Sequence, residues 1–200
     1  MDTYTVLAKP VETSRLILRK FVEGDEIPLF HDYCGDRESS KYLQRRPHVN
    51  IEQTKCMFEN WSNTKWENND KDFAWIIGER KTNLAMGLVM FIHKGDHGEI
   101  HFGLGGKFQG QGFMREAITA VIVYLKNNSR LKRIETFCDA ENVKSRNVLI
   151  ETGFTETTLL KHWAIFPALG DNKRDCLGFM IEINKKIQVI NSCTKISTNE

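Results

Sequence analysis

Nowhere in the 200 residues does an apolar run approach the roughly 18 positions a membrane-crossing helix needs, so no membrane partner is expected. The opening stretch, Met1 to Pro10, lacks the charged-then-apolar layout of a secretory leader, which makes the cytoplasm the expected location. An excess of one charge is missing too: 28 Lys and Arg stand against 26 Asp and Glu, a net of +2. Without a positive field to grip a phosphate backbone, no nucleic acid partner is expected. The five cysteines (Cys34, Cys56, Cys138, Cys176, Cys193) are odd in number and widely spaced, with no Cys-x-x-Cys and no Cys/His spacing suited to a metal. They are expected as reduced, mostly buried thiols, and no metal is expected.

What remains is ordinary globular material. Hydrophobic residues make up 40% of the chain, enough for one core, and the length falls short of two independent domains. Three parts are expected: an N-terminal extension over 1–11, a single domain over 12–184 and a polar tail over 185–200 rich in Ser, Thr and Asn.

Within the domain the apolar pattern changes period several times. Arg15-Leu16-Ile17-Leu18-Arg19 reads as a strand, and Glu26 to Cys34 and Ile51 to Trp66 carry apolar residues at roughly helical spacing, with Asn50 placed as an N-cap. Three strands follow as a meander over 73–77, 84–92 and 99–104, divided by turn-forming stretches at Gly78 to Asn83 and Lys94-Gly95-Asp96. From Met114 the residues Ala117, Ile118, Val121, Ile122 and Leu125 fall on one helix face. A strand over 133–138, a helix from Asn142 to Gly153, and strands over 154–165 and 175–183 complete the domain.

Between the third meander strand and the amphipathic helix lies Lys107-Phe108-Gln109-Gly110-Gln111-Gly112-Phe113-Met114. Glycines there let backbone N–H groups turn toward a ligand, and a helix start adds partial positive charge, a combination suited to phosphate. A tight strand-to-helix turn is the alternative use of the same residues. Two nucleotide motifs are absent: no Lys-Ser/Thr follows Gly110, and Arg115 stands where a dinucleotide fingerprint needs its third Gly.

The segment Lys107 to Gly112 resembles the acetyl-CoA signature Q/R-x-x-G-x-G/A of the GNAT acetyltransferase superfamily, with Lys in place of the first Gln or Arg. Three further stretches resemble its Rim-type, ribosomal-protein alanine N-acetyltransferase-like branch. They are Glu12 to Arg19, Glu99-Ile100-His101-Phe102-Gly103-Leu104, and Glu141 to Leu149 followed by Gly153-Phe154. The resemblance implies an α/β (α+β) single-domain GNAT fold. Its sheet is mixed, mostly antiparallel and twisted, with about seven strands and splayed central parallel strands, flanked by about four helices. The splayed pair falls at about 99–104 and 132–138.

Acetyl-CoA is the implied co-substrate. Its pantetheine arm would pair with the backbone of Phe102, Gly103 and Leu104, and its pyrophosphate would rest on Gln109, Gly110, Gln111, Gly112, Phe113 and Met114. Asn142 matches a position that bonds the cofactor's amide region, and also reads as a helix N-cap. Ser145 matches a hydroxyl that assists departure of the CoA thiolate, a catalytic role because negative charge develops on sulfur as the C–S bond breaks. A helix-bonded or solvated hydroxyl is the alternative. Glu99 is the second catalytic candidate, holding a water or the incoming ammonium, against a plain solvated strand-end carboxylate. Ala164 stands where some N-terminal acetylating members carry a second Glu; nearby His162 and His101 are candidates to compensate, and a purely structural histidine, the usual use of a lone His on a mixed strand, is the alternative. Cys138 reads as a buried strand thiol, not a nucleophile.

The expected reaction is direct transfer of acetyl to a primary amine in a ternary complex. The acceptor is a protein N-terminal α-amine or a small amine. Deprotonating an α-amine of pKa near 8 at neutral pH costs about 1.4 kcal/mol, whereas a lysine amine costs about 4.6, so a site without an obvious strong base favours the α-amine. A polyamine or aminoglycoside-like acceptor is one alternative, and a non-catalytic acyl-CoA-binding module is another. A monomer or homodimer is expected.

Overall fold

The computed structural model describes residues 6–183, so the expected polar tail and Cys193 lie outside the described residues. Eight strands form one sheet in the order β1-β2-β3-β4-β5-β6-β8-β7. They are β1 (Val11–Glu12), β2 (Leu16–Arg19), β3 (Phe73–Glu79), β4 (Ala85–Lys94), β5 (His97–Leu104), β6 (Arg133–Asp139), β7 (Thr155–Ile165) and β8 (Lys173–Glu182). Every neighbouring pair is antiparallel except β5 and β6. The one strand beyond the seven expected is β1, whose two residues are too few to show an alternating pattern.

Four helical stretches flank the sheet. The first is α1 (Glu26–Leu29), continued by a π-helical turn over Phe30–Cys34. The second is α2 (Ile51–Phe58), a π-helical turn over Glu59–Thr64 and the short α3 (Lys65–Glu67). The expected N-cap is in place: the Asn50 side chain accepts from the Gln53 N–H at 2.8 Å. On the other side lie α4 (Phe113–Asn128) and α5 (Val143–Glu151).

Strand β3 shows why both faces need helices, because all of Phe73 to Gly78 is buried. Phe73, Trp75 and Ile77 join the main core with Met114, Ala117, Ile118, Val121 and Leu125 of α4. Ile76, between them, points the other way and packs with Leu29, Tyr33 and Phe58 of the α1 and α2 region. A third, smaller cluster of Ala164, Phe166 and Cys176, bordered by Tyr42 and Phe137, sits on the β6-β8-β7 half of the sheet. Cys34, Cys138 and Cys176 are buried free thiols and Cys56 is an exposed one. Among the described residues no helix is long and apolar enough to cross a membrane.

Candidate active site

Strands β5 and β6 run parallel for a short distance only. His97, Gly98 and Glu99 pair with Arg133, Ile134 and Glu135, and there the ladder ends. Beyond it β5 stays with β4, where Phe102 faces Val89 and Leu104 faces Gly87, while β6 stays with β8. The two strands therefore part, as the resemblance implied, and leave one edge of Phe102–Leu104 unladdered. At the apex Thr136 replaces a backbone donor with its side chain: the buried hydroxyl donates to the Ile100 carbonyl at 2.6 Å. That keeps a buried carbonyl satisfied where the strands are already too far apart for main-chain pairing.

From the end of β5 the chain makes a 3-10 turn (Gly106–Phe108) and reaches α4 through Gln109 to Gly112. Gly112 is the N-cap of α4 with φ 77°, a left-handed conformation that side-chain-bearing residues rarely adopt. Its placement turns the loop so that the first N–H groups of a 16-residue helix face outward without intrahelical partners. Lys107, the departure from the signature, is engaged elsewhere: its ammonium lies 2.6 Å from the Asp32 carboxylate on the π-helical turn.

The loop is clamped from the N-terminal strands. Glu116, in the first turn of α4, accepts from the Thr13 hydroxyl at 2.6 Å, the Ser14 hydroxyl at 3.1 Å, and the Arg15 N–H and Nε at 3.0 and 2.6 Å. Partial burial acts to raise its pKa, but the bonds from Thr13, Arg15 and Ser14 together outweigh it and hold the carboxyl at about 2. Arg15 also donates to the Gln111 carbonyl at 3.0 Å and lies over the Phe113 ring at 4.4 Å.

Helix α5 forms the opposite wall. Asn142 does cap it, its Oδ1 accepting from the Ser145 N–H at 3.2 Å, while its Nδ2 donates to the Ser145 hydroxyl oxygen at 3.1 Å. An oxygen that accepts this bond keeps its own proton free to be donated elsewhere. One residue earlier, Lys144 donates to Gln109 Oε1 at 2.9 Å, and Gln109 Nε2 donates in turn to the Leu104 carbonyl at 3.0 Å. A polar chain thus links α5, the glycine loop and the end of β5.

The face of the fork opposite α4 carries Glu99 and His101. His101 Nε2 and Glu99 Oε1 are 2.6 Å apart, each side chain about one-quarter exposed. The hydrogen bond from His101, opposed by burial, lowers the Glu99 pKa. Across the fork the His101 ring meets Phe137 edge-on at 5.4 Å, and Phe137 meets Trp163 at 6.1 Å. Tyr42 and Phe166 pack edge-on at 6.4 Å beside them. Behind β5 the buried Tyr33 phenol lies so close to Gly103 that a β-carbon there would overlap it.

Of the expected site residues, Gln109 and Leu104 are joined to α5 through Lys144, Asn142 and Ser145 are bonded to each other at the start of that helix, and Glu99 lies further back along β5 from Phe102, Gly103 and Leu104. His162 stands apart, exposed on the outer strand β7, where its N–H donates to Asp175 at 2.8 Å. Ala164 is buried without any ionisable group of its own, and burial holds the Cys138 thiol up at about 12. Thr136, Tyr33, Glu116 and Lys144 are parts of the site that sequence reasoning missed. Their partners lie 103, 36 and 35 residues away for Glu116, Thr136 and Lys144, with no local signal.

A sheet parted between two parallel strands, with a glycine loop feeding a long helix at the parting, defines an acyltransferase architecture. The sequence model described as Acetyltransferase (GNAT) domain matches residues 15–155, and the chain belongs to that family. A curated relative from Bacillus licheniformis, the uncharacterized N-acetyltransferase p20, is 28% identical over 152 residues, which cover 76% of this chain and 85% of that protein. Among solved structures, the ribosomal-protein-S5-alanine acetyltransferase of Vibrio fischeri has a TM-score of 0.74 at 18% identity, covering 88% of this chain and 98% of that one. The spermidine N-acetyltransferase of Vibrio cholerae, solved with CoA and spermine, has a TM-score of 0.69 at 20% identity, covering 86% and 97%.

Proposed function

We propose that this chain transfers the acetyl group of acetyl-CoA to a primary amine, a protein N-terminal α-amine or a small amine, by direct attack in a ternary complex. The observation that carries the reading is the β5/β6 fork opening toward the glycine loop at the start of α4. A pyrophosphate on the N–H groups of Gln109 to Met114 satisfies the helix start and its partial positive charge. From there an extended pantetheine arm runs back along Leu104, Gly103 and Phe102, about 10 Å of strand, exchanging main-chain hydrogen bonds as an added strand would. The contacts are mostly main-chain, which accounts for Lys107 being dispensable to them.

At the inner end of that path the acetyl group reaches Glu99, His101 and the apex. Ser145, whose oxygen is already supplied with a donor by Asn142, points its proton to the departing sulfur and lowers the cost of thiolate release. Asn142 thereby serves both as helix cap and as the group orienting Ser145. The Vibrio fischeri protein is named for an alanine of a ribosomal protein and the Vibrio cholerae protein for spermidine, and both acceptor classes fit an amine site walled by Phe137 and Trp163.

The test is release of free CoA thiol from acetyl-CoA against peptides with free N-termini, lysine peptides, polyamines and aminoglycosides, with acetyl-CoA binding measured calorimetrically on the same sample. Acceptor-dependent release supports the reading and names the acceptor class. Binding without release from any acceptor would replace the transferase with a binding module, and absence of binding would remove both.

A further inference from the structure

An amine attacks only after losing a proton, and the fork offers few groups to take it. Ala164 has no ionisable side chain, Cys138 is held as a neutral buried thiol, and His162 lies out on β7. Where the pantetheine path ends, the Thr136 hydroxyl is spent on the Ile100 carbonyl and Glu135, opposite Glu99, is engaged by Arg133, which leaves Glu99 and His101, bonded to each other. Glu99 is the poorer base of the two, because the bond from His101 lowers its affinity for a proton. It is also an acceptor only, so the hydrogen between them sits on His101 Nε2 and the Nδ1 lone pair is left to accept.

We propose that His101 is the general base of the transfer, taking the proton of the acceptor ammonium on Nδ1, while Glu99 is a positioning residue that fixes its tautomer and orientation. The inference rests on the acetyl-transfer reading above. The ring is held on two sides, by the carboxylate at Nε2 and by the edge-on contact with Phe137 on the far strand of the fork. It therefore spans the opening in which the acetyl group arrives. Charge around the pair comes from Lys94 at the end of β4 and His97 at the start of β5, both acting on Glu99. Glu135 on β6 is taken up by Arg133 at 2.5 Å and by His97 at 3.5 Å. Met90, opposite His101 on β4, is neutral.

The protons balance. The ammonium gives one to His101, which passes it to solvent. The nitrogen lone pair then forms the C–N bond to the thioester carbonyl carbon and the C–S bond breaks. The nitrogen's second proton passes to the Ser145 hydroxyl oxygen as that hydroxyl gives its own proton to the sulfur, so the serine is regenerated and the sulfur ends as CoA thiol. Acetylated amine, thiol and one released proton are the products.

The experiment compares the wild-type chain with His101→Gln and Glu99→Gln. Transfer is measured to an alanine-starting peptide, a serine-starting peptide and spermine at saturating acetyl-CoA across pH 6 to 10, with cofactor affinity measured separately. His101→Gln should lose about 10²- to 10⁴-fold in kcat near neutral pH with acetyl-CoA affinity unchanged. The deficit should narrow as pH rises and the amine sheds its own proton, and imidazole added to His101→Ala should restore part of the rate. Glu99→Gln should lose less and shift the ionisation seen in kcat. In the wild-type chain, nitrogen-15 spectra of the imidazole should show the proton on Nε2, a readout that needs no variant to fold. A loss in His101→Gln equal at every pH, wild-type kcat in that variant, or a proton on Nδ1 would each overturn the assignment while leaving the transferase standing. Failure of the wild-type chain to acetylate these three amines and every other acceptor of the wider panel would remove the reading beneath it, and the assignment with it.

Discussion

The hydroxyl of Thr136 donates to the carbonyl of Ile100 at 2.6 Å across the last point where β5 and β6 are close. It is a side chain doing the work of a ladder bond, at a residue only 5% exposed. Thr136→Val keeps the shape and removes the donor, leaving a buried carbonyl unsatisfied. We expect a loss of about 1–3 kcal/mol in chemical denaturation and weaker acetyl-CoA binding, with Thr136→Ser recovering most of both. Unchanged stability in the valine variant would show that the fork needs no pin.

Ser145 separates chemistry from structure. Its N–H, not its hydroxyl, completes the Asn142 cap, so Ser145→Ala leaves that bond in place. The expected outcome is a fall in kcat of about 10-fold or more, with acetyl-CoA affinity and melting temperature nearly unchanged. An unaltered kcat would remove the hydroxyl from the reaction.

Gly112 answers for the loop. Around it a β-carbon meets only the ends of the Arg15 and Arg115 side chains, at 3.5 and 3.8 Å, so space is not the obstacle. The φ of 77° is, and valine, branched at its β-carbon, tolerates it least. Gly112→Val should abolish acetyl-CoA binding by calorimetry while circular dichroism shows the fold retained. Undiminished binding would place the pyrophosphate elsewhere.

Acid should weaken the fold in two separate windows. His48 is buried with its ring 2.8 Å from the Thr54 hydroxyl, and burial, aided by Arg45, lowers its pKa from 6.5 to about 4. The unfolded chain then binds a proton more readily than the folded one, so stability is lost as pH falls from about 6.5 toward 4. Glu116 repeats the sign lower down, between its ordinary 4.5 and about 2. Denaturant titrations at pH 7, 5 and 3 should show both losses. His48→Gln should flatten the first and Glu116→Gln the second.

The residues that sequence reasoning reached are those whose structural cause is local. The turn at Gly110-Gln111-Gly112, the apolar face of α4 and the caps at Asn50 and Asn142 each depend on a few neighbours in the chain. What it missed depends on distant encounters. Thr13 and Glu116 are 103 residues apart, and neither residue type announces the bond they share. Tyr33 is a core tyrosine until the strand carrying Gly103 is laid against it. The π-helical turns escaped for a different reason. The bond from the Gly35 N–H to the Phe30 carbonyl, at 2.8 Å, spans five residues, and a turn so short shows no apolar repeat of its own.

Three laddered residue pairs, the Thr136 hydroxyl and a few side-chain contacts such as His97 with Glu135 and His101 with Phe137 join β5 to β6. The sheet is thereby two plates meeting at a narrow seam, with α4 bearing on one and α5 on the edge of the other. Force or thermal motion transmitted from Val11 to Ile165 has to pass through that seam or around it through the helices. A ligand lying along Phe102 to Leu104 would act as a splint, making one stiff body of two, and the chain would gain rigidity far from any atom the ligand touches.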